Sequence, residues 1–153
     1  MKHLLLILLI TTKAHAGDVT NVLRLADANG FQPDARIARA IVKASRRYHI
    51  DARELAAIAI VETGLGKYTR STPNDNGTID EGIFQINSVN FSRCVEYNLK
   101  SPEGSAYCAA KLLSTIKHAR SDYLGVWHSK TPSKKIKYMK KVTQVLSTLA
   151  DKQ

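Results

Sequence analysis

The sequence predicts an all-α, or at least strongly α-rich, single domain. Apolar residues recur at helical spacing along most of the chain, and no segment shows the strict alternation of a half-buried strand. Capping residues and prolines precede several of the apolar stretches, as they do where helices begin. A chain of 153 residues is long enough for one domain with its own core, and we find no linker, repeat or low-complexity tract.

Two helices are predicted in the first half of the chain. The first ends near Tyr48 and has its apolar residues at helical spacing, namely Ile37, Ile41, Val42 and Ala44. The second begins with Asp51 as N-cap and Glu54 three residues later, which is the capping-box pattern. It ends at Gly64, a residue type typical of helix C-caps. Residues 55–61 between these points are apolar on every side, which indicates a helix buried in the centre of the domain.

Two further helices are predicted in the second half. Ser101-Pro102 and Thr131-Pro132 each place a proline just after a capping residue, as at a helix start. The last helix has lysines mostly on one side and an apolar stripe on the other, namely Ile136, Met139, Val142, Val145, Leu146 and Leu149. Residues 67–80 instead form a polar stretch with turn chemistry. Loops of that length inside a compact domain are often functional.

The N-terminus predicts export. Lys2 precedes the apolar run from Leu4 to Ile10, and Ala14-His15-Ala16 resembles a signal-peptidase site. We therefore expect a signal peptide at residues 1–16, a mature domain at residues 17–153, and a periplasmic or secreted location. The apolar run is far shorter than the roughly 20 residues that a membrane-spanning helix needs. No membrane span is predicted.

The charge of the chain indicates an anionic partner. The formal net charge is +10, and only two of the 23 lysines and arginines lie in the predicted signal peptide. Nucleic acid, anionic lipid and cell-wall polymer all suit such a charge, but export argues against nucleic acid. The basic last helix also lacks interleaved aromatic residues, apart from Tyr138. Charged residues opposite an apolar stripe are in any case typical of a solvated helix face.

Cys94 and Cys108 are the two cysteines of the chain. In an oxidising compartment a lone pair of cysteines is usually bonded, so a disulfide is expected. A zinc site is not, because neither a CxxC spacing nor paired histidines accompany them. We predict no metal.

Glu62 is the candidate catalytic residue. It directly follows the buried apolar run, where desolvation and the negative end of the helix dipole both raise the pKa of a carboxyl group. A carboxylic acid that keeps its proton near neutral pH can protonate the leaving oxygen of a glycosidic bond. Most glutamates at helix ends simply face solvent, so this position alone favours that ordinary interpretation. The prediction of catalysis depends on further motifs.

Three motifs resemble, in order and spacing, those of the soluble lytic transglycosylase catalytic domain. They are Glu62-Thr63, the segment from Asn76 to Ser88 with the sequence NGTIDEGIFQINS, and Trp127-His128-Ser129. The resemblance runs from about residue 37 to residue 142. It is strongest to the specialised branch that accompanies type III and type IV secretion and conjugation machinery, whose members share the His-Ser-x-Thr-Pro ending seen at residues 128–132.

This resemblance implies a lysozyme-like fold with a catalytic cleft. It implies that Glu62 protonates the oxygen between N-acetylmuramic acid and N-acetylglucosamine of peptidoglycan and then acts as a base. The 6-hydroxyl of the muramic acid closes on its own anomeric carbon to give a 1,6-anhydro product. No cofactor is needed. Expected partners are peptidoglycan strands and a secretion or conjugation apparatus, and we expect a monomer.

The resemblance also predicts which residues bind the glycan. Gly82, Ile83, Phe84, Gln85 and Asn87 are expected in the cleft, with Gly82 admitting backbone close to the sugar and Gln85 offering its amide. Ile83 and Phe84 suit either an apolar floor or ordinary core packing.

The other two motifs depart from the family pattern. Trp127 and His128, which precede Ser129, stand where the family usually has Tyr-Asn, and an indole can donate but not accept a hydrogen bond. Thr63 replaces a serine and keeps its hydroxyl for a substrate contact.

Two alternatives remain open at this point. A hydrolytic lysozyme would need a second carboxylate roughly 5 to 9.5 Å from Glu62, and Asp75, Asp80 and Glu81 are the nearest in sequence. A non-catalytic cell-wall-binding scaffold would keep the cleft without turnover. Retention of Glu62 argues against that second alternative.

Overall fold

A computed structural model of the chain describes residues 18–32 and 34–148. The predicted signal peptide lies outside the described residues, as does Leu149 of the predicted stripe. The helices are α1 (18–28), α2 (Ala35–Tyr48), α3 (Ala52–Thr63), α4 (Pro102–Ala119), α5 (Tyr123–His128) and α6 (Pro132–Ser147). Two short strands, β1 (Asp80–Glu81) and β2 (Ile86–Asn87), and a 3₁₀ helix (Ser88–Arg93) lie between α3 and α4. The α-rich prediction is confirmed, although α1 and the short α5 were not predicted.

Helix α3 is the centre of the core. Its residues 55–60 are at most 5% exposed, as expected from a segment that is apolar on every side. Asp51 caps its start by accepting a hydrogen bond from the backbone N–H of Arg53 at 2.7 Å. The predicted capping-box partner Glu54 instead accepts a hydrogen bond from the Tyr123 hydroxyl of α5. Helix α3 is packed against α2 and α6, and α4 covers α2 and α5.

Strands β1 and β2 form a small antiparallel hairpin over the end of α3. Asp80 pairs with Asn87 and Glu81 with Ile86, and the turn between them carries Phe84 into the core with no exposed surface. Gly82 has φ +75°, and a Cβ placed there would lie 2.2 Å from the Leu99 carbonyl oxygen. Only glycine therefore lets this turn lie so close to the start of α4.

A disulfide joins Cys94, just after the 3₁₀ helix, to Cys108 of α4, with the two Cα atoms 5.6 Å apart. The predicted disulfide is confirmed. It ties the segment that follows the hairpin to the helix that supports it.

The orientation of α6 differs from the predicted stripe. Ile136 is 55% exposed, whereas Tyr138 is 3% exposed and Val142 is fully buried against α3. The buried side therefore begins at Tyr138, because residues 138, 142 and 145 share one helical face. In the described ranges no helix is both long enough and apolar enough to span a membrane.

Candidate active site

The last turn of α3 directs Glu62 into a cleft with a volume of about 630 Å³. Gly64, in the left-handed conformation, ends the helix two residues later, so the Glu62 side chain lies where the buried helix meets the surface. The cleft is lined by Glu62, Asp80, Gln85, Ile86, Asn87, Val89, Asn90, Arg93, Leu112, Ile116, Val126, Trp127, His128, Ser129 and Lys130.

Burial raises the pKa of Glu62, and the nearby negative charge of Asp80 raises it further. Hydrogen bonding by Tyr138 and Trp127 acts in the opposite direction, as does the positive charge of Lys141. Burial is the largest of these effects, so Glu62 keeps its proton to a higher pH than an exposed glutamate does. This is the property that a general acid requires.

Tyr138 holds the Glu62 carboxyl group in place. Its hydroxyl donates a hydrogen bond of 2.7 Å to Glu62 Oε1 from the buried side of α6. Burial and the neighbouring Glu62 raise the pKa of Tyr138 well above its ordinary value, so it remains a donor. The His128 ring stacks on the Tyr138 ring with centroids 4.5 Å apart, and burial lowers the pKa of His128. His128 is therefore mostly neutral near pH 7.

Asp80 lies in the cleft within a network of short polar side chains. Asn74 Nδ2 donates to Asp80 Oδ2 at 3.0 Å, and Asn87 Nδ2 donates to Asp80 Oδ1 at 2.8 Å. Both amides also donate to the Thr78 hydroxyl. The network fixes the Asp80 carboxylate relative to the hairpin.

Gln85 connects the cleft to the polar loop of residues 67–80. Its Nε2 donates to the Gly82 carbonyl at 3.0 Å and to the Arg70 carbonyl at 3.2 Å. Gln85 has φ +46°, a conformation that costs free energy in a residue with a side chain. Strain of this kind is often kept at functional sites. With both carbonyls bonded to its Nε2, Gln85 holds the loop against the turn of the hairpin.

Comparisons with known proteins identify the family of the chain. The family model described as the transglycosylase SLT domain matches residues 39–127. The chain belongs to this transglycosylase family. Protein IpgF of Shigella sonnei is 35% identical to it over 104 residues, which cover 62% of this chain and 68% of IpgF. No solved structure matches the chain significantly.

Six of the predicted site residues of this SLT domain line the cleft, and they come from three separate parts of the chain. They are Glu62, Gln85, Asn87, Trp127, His128 and Ser129. Helix α3, the hairpin and α5 therefore meet at one place, as the three sequence motifs require. The amide of Asn87 is already engaged with Asp80 and Thr78, so its main effect is on the shape of the wall.

Four predicted residues lie elsewhere. Ile83 and Phe84 are buried in the core, at 5% and 0% exposure, and take the packing role that had been the alternative for them. Gly82 lies against Leu99 and α4. Its missing side chain therefore allows close packing of the hairpin on α4, and not the close approach to a sugar that was expected. A structural role also replaces the substrate contact expected for Thr63.

The Thr63 hydroxyl is buried between α3 and the hairpin. Its Oγ1 lies 2.8 Å from the Ile83 carbonyl oxygen and accepts a hydrogen bond from the Gly66 N–H at 2.8 Å. The hydroxyl has one proton to donate, and the Ile83 carbonyl is a nearer acceptor than the Ala59 carbonyl at 3.1 Å, so the hydroxyl ties the hairpin to α3. Thr63 follows Glu62 directly in the chain. Its bond to the hairpin therefore sets where the hairpin wall of the cleft lies relative to Glu62.

The sequence did not indicate Tyr138 or the far wall of the cleft, which is formed by Asn90, Arg93, Leu112 and Ile116. Tyr138 lies beyond the three motifs, and its only sequence signal is its helical spacing with Val142 and Val145. Asn90 and Arg93 come from the 3₁₀ helix, which has no periodic pattern in the sequence. With the apolar side chains of Leu112 and Ile116, they give the cleft the mixture of apolar surface and hydrogen-bonding groups that a sugar-binding site needs.

Proposed function

We propose that this chain is a peptidoglycan lytic transglycosylase that cleaves the β-1,4 bond between N-acetylmuramic acid and N-acetylglucosamine. Family membership supports the class of reaction. The single observation that carries the assignment of the acid is the Glu62 carboxyl group, largely buried, held by Tyr138 and open to a cleft of sugar-binding size.

The proposed mechanism needs one carboxyl group in two protonation states. Protonated Glu62 donates its proton to the glycosidic oxygen as the bond to the anomeric carbon breaks. The resulting Glu62 carboxylate is stabilised by the Tyr138 hydroxyl, which donates to it. The carboxylate then removes the proton of the 6-hydroxyl group, whose oxygen closes on the anomeric carbon. Glu62 is protonated again, and the product is a 1,6-anhydromuramic acid end.

Hydrolysis is a second candidate, and the position of Asp80 is the observation that favours it. Asp80 shares the cleft with Glu62 and is close enough to influence its pKa. A two-carboxylate glycosidase uses such a partner as a nucleophile or base. Both Asp80 oxygens, however, accept hydrogen bonds from side-chain amides, which favours a role in fixing the hairpin. We therefore give transglycosylation preference.

The proposed biological role is local opening of the cell wall by an exported enzyme that serves a secretion or conjugation apparatus. The motif resemblance to the specialised branch supports this role, and the disulfide fits an oxidising compartment outside the cytoplasm. The positive net charge of the chain suits an anionic wall polymer.

Product analysis with purified sacculi tests the proposal. Wild-type protein should release muropeptides that end in 1,6-anhydromuramic acid, and Glu62→Gln should reduce the rate by at least about 100-fold, because the amide cannot supply the proton. Glu103→Gln is the matched control, since Glu103 is an exposed carboxylate of α4 that pairs with Lys43 and does not line the cleft.

Each other outcome of that experiment would assign the chain a different function or a different mechanism. Products with reducing ends identify a hydrolase. Binding to sacculi without release of muropeptides by the wild type identifies a scaffold component. Equal rates for wild type and Glu62→Gln remove Glu62 from the mechanism.

A further inference from the structure

A second pocket adjoins the catalytic cleft. We call it the side pocket; its volume is about 660 Å³, and its walls include residues 73–76 and 78 of the polar loop, Arg70 and Lys134. Asn87, His128 and Ser129 line both the side pocket and the cleft. The two spaces therefore meet at these three residues, and a ligand bound in the cleft lies directly beside the side pocket.

The polar loop that forms the side pocket is held by its own hydrogen bonds. The Asn74 N–H donates to the Thr78 carbonyl at 2.7 Å, and the Gly77 N–H donates to the Asn74 carbonyl at 2.8 Å. Gln85, which lines the cleft, fixes the Arg70 carbonyl. The side pocket thus has a preformed wall attached directly to the cleft, which lowers the entropic cost of binding.

The side pocket carries charged side chains of both signs. Within the described ranges, neither Arg70 nor Lys134 takes part in an ion pair, whereas Lys111, Arg120 and Lys135 are each paired with a carboxylate. Arg70 comes from the polar loop and Lys134 from the first turn of α6. Asp75 adds one carboxylate. The pocket thus combines two available cations with one anion.

We propose that the side pocket binds the peptide stem of the N-acetylmuramic acid unit held in the cleft, so that the substrate is stem-bearing glycan. This inference rests on the proposed function. Peptide stems branch from every muramic acid and carry several free carboxylates together with a free amino group. Arg70 and Lys134 are complementary to the carboxylates, and Asp75 is complementary to the amino group. The hydroxyls and amides of the loop supply hydrogen bonds to the peptide backbone.

The test compares two substrates of matched glycan length: strands with their stems, and strands from which an amidase has removed the stems. The measured quantity is the ratio of kcat/KM on stem-bearing strands to kcat/KM on bare strands. Arg70→Ala and Lys134→Ala should each lower this ratio about threefold, and the double variant about tenfold, as expected for partly exposed charge pairs. The effect should shrink as salt is added, because the charges are screened.

Lys137→Ala is the matched control, because Lys137 is an exposed lysine of α6 that lines neither space. It should leave the ratio as in the wild type. If the double variant lowers kcat/KM on both substrates equally, or on neither, the side pocket does not recognise stems.

A binding measurement separates this inference from the proposed function. A fluorescently labelled soluble tetrapeptide muropeptide is titrated with Glu62→Gln and with Glu62→Gln combined with the two alanine substitutions. Weaker binding of about tenfold in the combined variant supports stem recognition, even if the wild type cleaves neither strand. Identical affinities overturn it, even if the enzyme is an active transglycosylase.

Discussion

At the scale of single residues, the chemistry depends on a carboxyl group that is kept away from water but is not left without partners. The Glu62 side chain lies in the last turn of α3, just after residues 55–60, which are buried, and burial raises the pKa of Glu62. A buried carboxylate without a hydrogen bond would cost several kcal/mol. The Tyr138 hydroxyl limits that cost once the proton has left. The residue pair therefore suits both protonation states that the proposed mechanism requires.

Replacing Tyr138 with phenylalanine should change the pH profile in a defined direction. The proposed mechanism requires protonated Glu62, so activity should fall as the pH rises through the raised pKa of Glu62. The hydrogen bond from Tyr138 lowers that pKa, so Tyr138→Phe should raise it and move the alkaline limb of the kcat profile to higher pH. The maximal kcat should fall about tenfold, because the carboxylate formed in the reaction loses a donor.

Tyr123→Phe provides the control for this experiment, since its hydroxyl donates to Glu54 outside the cleft. Its pH profile should follow that of the wild type. An alkaline limb that moves to lower pH in Tyr138→Phe would contradict the role assigned to the phenol.

At the scale of elements, hydrogen bonds with both α3 and α4 fix the position of the hairpin. The Thr63 hydroxyl is hydrogen-bonded to the Ile83 carbonyl oxygen. The Phe84 backbone N–H donates a hydrogen bond of 3.3 Å to the Ser105 hydroxyl of α4. Phe84 fills the space beneath the turn. Gln85 and Asn87 consequently reach the cleft from a hairpin whose Ile83, Phe84 and Ile86 side chains are buried in the core.

Gly82→Ala should destabilise the fold by about 3 kcal/mol, because the new Cβ combines a strained φ with a collision against backbone. That Cβ would lie 2.2 Å from the Leu99 carbonyl oxygen and 2.4 Å from Ser105 Oγ. Gly77→Ala is the matched control: its φ is +77°, but nothing lies within 4 Å of the added atom, so about 1 kcal/mol is expected. Urea unfolding measures both. Equal losses for the two variants would show that contact with α4 is unimportant.

The sequence predicted most elements well where one physical signal was dominant. The uniform apolarity of residues 55–61 indicated the buried α3, and Ser101-Pro102 marked the first residues of α4. The prediction was less accurate for α6, because two overlapping stripes share Val142 and Val145 and only packing against α3 selects the one with Tyr138. The far wall of the cleft could not be predicted, since the 3₁₀ helix has no periodicity.

At the scale of the whole molecule, a single covalent link stabilises the region that follows the hairpin. The disulfide closes a short loop, with Cys94 and Cys108 separated by 14 positions, and both residues are buried. The link holds the segment after the 3₁₀ helix against α4 and so supports the far wall of the cleft.

Removing the disulfide by Cys94→Ala with Cys108→Ala should cost about 3 kcal/mol of unfolding free energy, from the loop-closure entropy returned to the unfolded chain. The thermal midpoint should fall by about 10 °C for a domain of this size. Calorimetry of the wild type with and without reductant measures the same difference independently. A midpoint that neither change lowers would mean that the bond adds no stability.

The position of Tyr138 in the chain has a consequence for when the enzyme becomes competent. Residue 138 follows the part matched by the family model, and its hydroxyl crosses 76 positions to reach Glu62. A nascent chain that has emerged only through α5 holds the acid without its donor and leaves one side of α3 uncovered. Docking of α6 supplies the donor and covers α3 in one step, so the proposed site is complete only after the last described helix has packed against the domain.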